Sequence, residues 1–186
     1  MRKIVPVLAI LLFTAFGQLD AQQSSSPDWK ASIAKAMPLL GHRNWILVVD
    51  SAYPLQTSPG VETIETGADQ LTVVQTVLDG IHSSIHVRPA IYMDAELPFV
   101  SDQDAPGAST YRTQIAKLLQ GYEIESQPHE NILADIDGAG KLYHVLVLKT
   151  TMAIPYTSVF LRLDCKYWSA DQEKRMRARM AATPNK

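Results

Sequence analysis

The sequence predicts an α/β fold, a single layered domain whose largely parallel central sheet is flanked by helices. Three observations carry this. Stretches such as "WILVVD" (45–50) are short, continuously apolar and rich in branched residues, which suits strands covered on both faces. Between such stretches lie segments whose apolar residues recur three or four apart, the spacing of helices with one buried face. The two kinds alternate through most of the chain, the order that builds parallel strands through crossover helices.

The elements follow in order. "WKASIAKAMPLL" (29–40) puts Trp29, Ile33, Met37 and Leu40 on one helical face and breaks near Pro38 or Gly41. The strand at 45–50 comes next, and "SAYPLQTSPGVE" (51–62), with two prolines and a glycine, is a loop. Thr66-Gly67-Ala68-Asp69 fits a capping box, a hydroxyl and a carboxylate serving each other's free amides; Leu71, Val74, Leu78 and Ile81 line the helix beyond it. "IHVRPAIYMDA" (85–95) is a strand in which Pro89, lacking an N–H, argues against an unbroken central position. After a polar loop (97–109), "TYRTQIAKLLQGY" (110–122) is a second amphipathic helix, with Ser109 as cap and Gly121 as stop. Then come a short strand "EIESQP" (123–128), a short helix "HENILADI" (129–136) closed by "DGAG", and a strong strand "KLYHVLVLKT" (141–150). A loop "TMAIPYT" (151–157) leads to the last strand "SVFLRLDCKYW" (158–168), and the tail 169–186 is a basic helix with a solvated face.

The N-terminus is of another kind. Arg2 and Lys3 precede an apolar run, Ile4 to Phe16, with small Ala21 beyond it, the layout of a secretory signal peptide over 1–21. The run is shorter than the roughly 20 residues that span a bilayer, so no stable membrane insertion is expected. A flexible lead-in (22–28) then joins the domain at 29–168, and the expected location is secreted or periplasmic. The single cysteine, Cys165, excludes an internal disulfide and reads as a small core residue rather than a nucleophile. With 17 basic and 19 acidic residues, there is no electrostatic case for a nucleic-acid partner.

Few motifs carry chemistry. The scattered glycines form no phosphate-binding loop, and "DIDGAG" lacks the later ligands of a calcium loop. His82 and His86 straddle the end of a helix and the start of a strand and read as a loop pair rather than a metal site, and His144 reads as a packed or edge histidine. Asp50, at the carboxyl end of a strand, is where open α/β sheets bind ligands. His42 lies at the opposite end of that strand, about 25 Å away at ~3.3 Å per residue. Three readings remain open: the segment is not all strand, the two residues work in different places, or the chain curls between Gly41 and Asn44.

Three segments bear on that choice. "LGHRNWILVVDSAYP" carries Leu40-Gly41-His42, an apolar strand, Asp50 and Pro54. "QPHENI" puts His129 at the opening of a short helix. "IPYTSVFL" carries Pro155-Tyr156, then Thr157 and Ser158 before a strand. In order and spacing they resemble the D-ribose pyranase and L-fucose mutarotase family, over about residues 30 to 163. The resemblance implies a cofactor-free, metal-free isomerase that interconverts anomers, or pyranose and furanose rings, of a free monosaccharide. It implies a ring-shaped homo-oligomer with its sites between neighbours. Carried over, His42, Asp50 and Tyr156 are catalytic, with His42 the principal acid/base, and His129 and Ser158 bind substrate. His42, Asp50 and His129 would come from one subunit, Tyr156 and Ser158 from the next. The alternatives are a non-catalytic sugar-binding protein on the same scaffold and a structural oligomer that has lost the site. Two features depart from the family: Ser158 stands where an asparagine is expected, and the chain carries an export signal.

Overall fold

The computed structural model of the chain describes residues 28–182, so the signal peptide and nearly all of the lead-in lie outside the described residues. Five helices, α1 (Trp29–Ala36), α2 (Gln70–Ser83), α3 (Ala108–Leu118), α4 (His129–Gly140) and α5 (Ala170–Ala182), accompany six strands: β1 (Trp45–Val49), β2 (Val61–Glu65), β3 (Val87–Asp94), β4 (Ile124–Gln127), β5 (Val145–Lys149) and β6 (Val159–Cys165). The strands form one sheet in the order β2-β5-β1-β6-β3-β4. β6 is antiparallel to β1 and β3 on either side, and the other pairings are parallel, so five strands point one way and β6 returns.

Side-chain alternation sorts the core into two layers. Ile46 and Val48 of β1 face a cluster completed by Ile33 of α1, Val74 and Leu78 of α2, and Tyr111 and Ile115 of α3. Trp45, Leu47 and Val49 face the other way, onto Ile132 and Ile136 of α4, Tyr53 and Phe160. All five β1 residues are therefore buried, the reason that stretch is apolar without a break. Among the described residues no helix is long and apolar enough to cross a membrane.

Several elements differ from expectation, each for a local reason. β2 lies where the sequence gives no strand signal: "VETIE" is an edge strand pairing only with β5, so its glutamates stay in water. α2 is capped by Asp69, whose carboxylate accepts from the Thr72 amide, rather than by Thr66, whose hydroxyl donates to the Lys149 carbonyl. α3 begins at a left-handed Gly107, and Asp102, from the preceding loop, takes the amides of Gly107 and Ser109; Ser109 lies inside the helix. "DGAG" does not close α4 but forms its last turn.

Pro89 sits within an unbroken eight-residue β3. Its cross-strand partner on β6, Leu163, sends its N–H to the Asn44 carbonyl on the β1 side. Pro89 and Leu163 are thus a non-hydrogen-bonded pair, and the missing N–H faces the other flank. There β4 starts pairing only at Ile91, so no ladder bond is lost.

Candidate functional site

The strand directions decide which loops meet. At the carboxyl edge of the sheet lie Asp50 after β1, Asp94 ending β3, and His129 two residues past β4. Because β6 runs backwards, the segment that leads into it, Tyr156 to Ser158, arrives at this same edge. An open pocket of about 470 Å³ results, lined by Asp50, Tyr53, Pro54, His129, Ile154, Pro155 and Tyr156 among others.

His129 is the first residue of α4, and its amide is one of the orphan donors of a helix N-terminus. Glu96, from the turn after β3, accepts it at 3.1 and 3.2 Å, so a carboxylate replaces the missing cap and suits the helix dipole. The imidazole Nδ1 lies 2.9 Å from Asp94 Oδ1, and the Asp94 side chain has no exposed surface. Burial pushes the Asp94 carboxyl above its usual pKa, against the pull of the His129 hydrogen bond. With Asp94 ionised, Nδ1 carries the hydrogen and Nε2 is left as a base. Tyr156 and the imidazole meet in a T-shaped pair, centroids 5.6 Å apart and planes at 85°.

Tyr156 has φ +59, a left-handed conformation that costs a residue with Cβ about 1–2 kcal/mol. Its neighbour holds it there. The Thr157 carbonyl accepts from Gln70 Nε2 at 3.0 Å and from the Tyr111 hydroxyl at 2.6 Å, both buried. Asp50 caps its own turn, accepting from the Ala52 amide at 2.8 Å.

Near the pocket, buried polar atoms stand without partners. Tyr53 OH, Asp94 Oδ2 and Ser158 Oγ are buried and make no hydrogen bond. Ser158 and Asp94 stand one residue beyond the registered pair Met93–Val159, so they are neighbours on the face that carries Tyr92 and Phe160. Ser158 is buried and is not among the residues that line the pocket.

His42 is elsewhere. It precedes β1, at the amino edge, with the full height of the sheet between it and Asp50; of the three open readings, the two residues stand in different places. Its carboxylate partner is Asp164, at 2.9 Å from Nδ1, and Arg88 holds the second oxygen of Asp164 at 2.8 Å. Burial alone would raise the Asp164 pKa, but Arg88, the Cys165 amide and His42 bring it below the usual carboxylate range. The chain thus carries a histidine–aspartate dyad at each edge. Within one chain Tyr156 shares a pocket with Asp50 and His129, and His42 stands apart from all three. β6 being antiparallel is the cause. Among the described residues no group of His, Cys, Asp or Glu is arranged to hold a metal ion. His86 binds the Leu40 carbonyl and His144 meets Glu62.

A profile of the RbsD / FucU transport protein family matches residues 26–165, about three quarters of the chain. The chain belongs to that family. Solved RbsD and FucU structures share its fold. The structure of Bacillus subtilis RbsD complexed with D-ribose has a TM-score of 0.53 at 18% identity, covering 72% of this chain and 92% of that one. FucU from Bifidobacterium longum gives 0.50 at 14% identity, over 72% and 94%. The fucose mutarotase of Streptococcus pneumoniae, in complex with L-fucose, gives 0.48 at 19% identity, over 76% and 97%. No curated protein matches the chain.

Asp94 and Asp164 were missed in sequence, yet each stands at or next to the carboxyl end of a largely apolar strand, as Asp50 does, in "AIYMDA" and "FLRLDC". That signal was present; the strand directions that give it meaning were not.

Proposed function

We propose that the chain is a monosaccharide mutarotase, opening and reclosing a sugar ring by general acid/base transfer. The observation that carries this is the His129–Asp94 pair, which opens onto a pocket also lined by Asp50 and Tyr156, in a chain of the RbsD/FucU family. The B. subtilis RbsD of the same fold holds D-ribose, which supports a free monosaccharide as ligand. A base removes the proton of the anomeric hydroxyl while an acid protonates the ring oxygen. The open-chain aldehyde turns about its C1–C2 bond and recloses. Imidazoles titrate near neutrality and serve in either sense. The bond between C1 and the ring oxygen breaks and re-forms with these proton transfers and with no net oxidation or reduction, so the scheme calls for no cofactor.

In this reading His42 is the principal acid/base and reaches the Asp50–His129–Tyr156 pocket of a neighbouring copy in a ring-shaped homo-oligomer. Its exposed ring, held at Nδ1 by Asp164, leaves Nε2 to act outward. Ser158, with its unpartnered hydroxyl, joins the substrate contacts. The layout of residues 1–21 supports an activity outside the cytoplasm, secreted or periplasmic, and mass spectrometry is expected to find a mature chain beginning near residue 22.

Two-dimensional exchange NMR with ribose, fucose and other aldoses tests the activity. Purified protein is expected to accelerate anomer or ring exchange of at least one. No acceleration for any sugar overturns the enzyme reading. The buried Ser158 hydroxyl, in place of the expected asparagine, favours one rival: a sugar-binding protein without turnover, which calorimetric binding without exchange would select.

A further inference from the structure

The family match ends at residue 165, and the described residues 166–182 lie beyond it. They are nonetheless anchored. The Lys166 amide donates to the His86 carbonyl at 3.0 Å, and its ammonium to the carbonyls of His82 at 2.9 Å and Ser84 at 2.6 Å, the last turn of α2. This fixes the next two residues. Tyr167 and Trp168 are large aromatics left 72% and 39% exposed. Trp168 is also locked: its Nε1 donates to Glu173 at 2.8 Å, and Arg177 grips the same carboxylate.

α5 buries none of its own residues, so the segment does not complete the core. It builds instead one wall of a groove of about 680 Å³, whose other wall carries His42, Arg88 and Asp164. An aromatic surface whose Trp168 is held by Glu173, opposite a few convergent polar groups, has the composition of a small-molecule site. The π face accepts an apolar patch of C–H groups, while carboxylate, guanidinium and imidazole meet hydroxyls. A pyranose whose axial hydroxyls lie on one side offers such a patch on the other, and a sixth carbon enlarges it; a pentose lacks that carbon.

We propose that Tyr167 and Trp168 are specificity residues for the sugar on which His42 acts, and that the appended segment selects hexopyranoses with a continuous C–H face, such as L-fucose or D-galactose, over D-ribose. The inference rests on the reading of His42 as a residue that handles a monosaccharide. It makes substrate choice a property of the segment outside the family domain.

Calorimetric titration and exchange NMR on the full chain, with L-fucose, D-galactose and D-ribose, test it. Trp168→Ala and Tyr167→Ala are expected to weaken fucose and galactose binding about tenfold each, to move ribose less than about twofold, and Trp168→Phe to restore the preference. Equal losses for all three sugars, or wild-type affinities in Trp168→Ala, overturn the proposal while leaving the mutarotase reading standing. Binding without exchange in the wild type overturns the mutarotase reading and leaves the selectivity measurable by calorimetry. A wild type that neither binds nor exchanges any of the three overturns both.

Discussion

A carboxylate with no exposed side-chain surface, as in Asp94, is tolerated because His129 takes one of its oxygens. Burial nevertheless raises its pKa. A carboxyl whose folded pKa lies above its unfolded value supports the fold below the unfolded pKa and ceases to as pH rises through the folded one. Asp94→Asn is therefore expected to be more resistant to urea than wild type at pH 7, the advantage disappearing toward pH 3. The same change replaces the acceptor-only carboxylate beside His129 with an amide that can also donate to Nδ1, so the tautomer is no longer fixed and exchange is expected to fall about 100-fold. Stability gained and turnover lost together would mark Asp94 as a functional rather than a structural aspartate. Asp164 titrates in the opposite sense. Its pKa is lowered, so its contribution is present above the unfolded pKa and lost as pH falls through the folded one. Asp164→Asn is expected to lose no more than about 1 kcal/mol at pH 7, since the pair is partly exposed, and to match wild type in acid. Urea unfolding of both variants across pH separates the two dyads.

At the scale of elements, the strong signals came from burial on both faces. β1, and β5 up to its final Lys149, are apolar because both faces are covered, and the sequence shows it; β2 is an edge strand with two glutamates, so no local pattern separates it from a loop. The caps were obscure for another reason. Asp102 caps α3 from five residues before Gly107, and Glu96 caps α4 from 33 residues before His129, so nothing adjacent to either helix start reveals them. The placement of β2 also depends on a close approach invisible in sequence. A Cβ at Gly60 would strike the backbone carbonyls of Tyr143 and Gly140, and backbone cannot step aside as a flexible side chain would. Gly60→Ala is expected to cost about 1–3 kcal/mol or more, because the clash sits where Gly60 also bonds Gly140 and Val145. Urea unfolding checks this. An unchanged midpoint would show that β2 moves freely against the end of α4.

For the whole molecule, His42 stands at one edge of the sheet and the Asp50–His129–Tyr156 pocket at the other. The family resemblance groups His42 with Asp50, while their distance along one strand argues against a meeting within one chain; the fold sets the sheet between them. Asp50, His129 and Tyr156 were legible as a group through the family resemblance, but their presence in one chain follows from the reversal of β6, which no local pattern encodes. A cyclic assembly in which the amino edge of one copy meets the carboxyl edge of the next would reunite the residues. Subunit mixing tests this without a structure of the assembly. His42→Ala and His129→Ala chains are each expected to be nearly inactive. If the two are unfolded together and refolded as a mixture, each site draws its His42 from one copy and its pocket from another. About a quarter of the sites then receive an intact His42 beside an intact His129, and activity returns to about that fraction of wild type. A site within one chain would regain nothing on mixing, because every chain would still carry one lesion in its own site. Recovery that also depends on protein concentration, falling as the assembly dissociates on dilution, would tie turnover to the contact between copies.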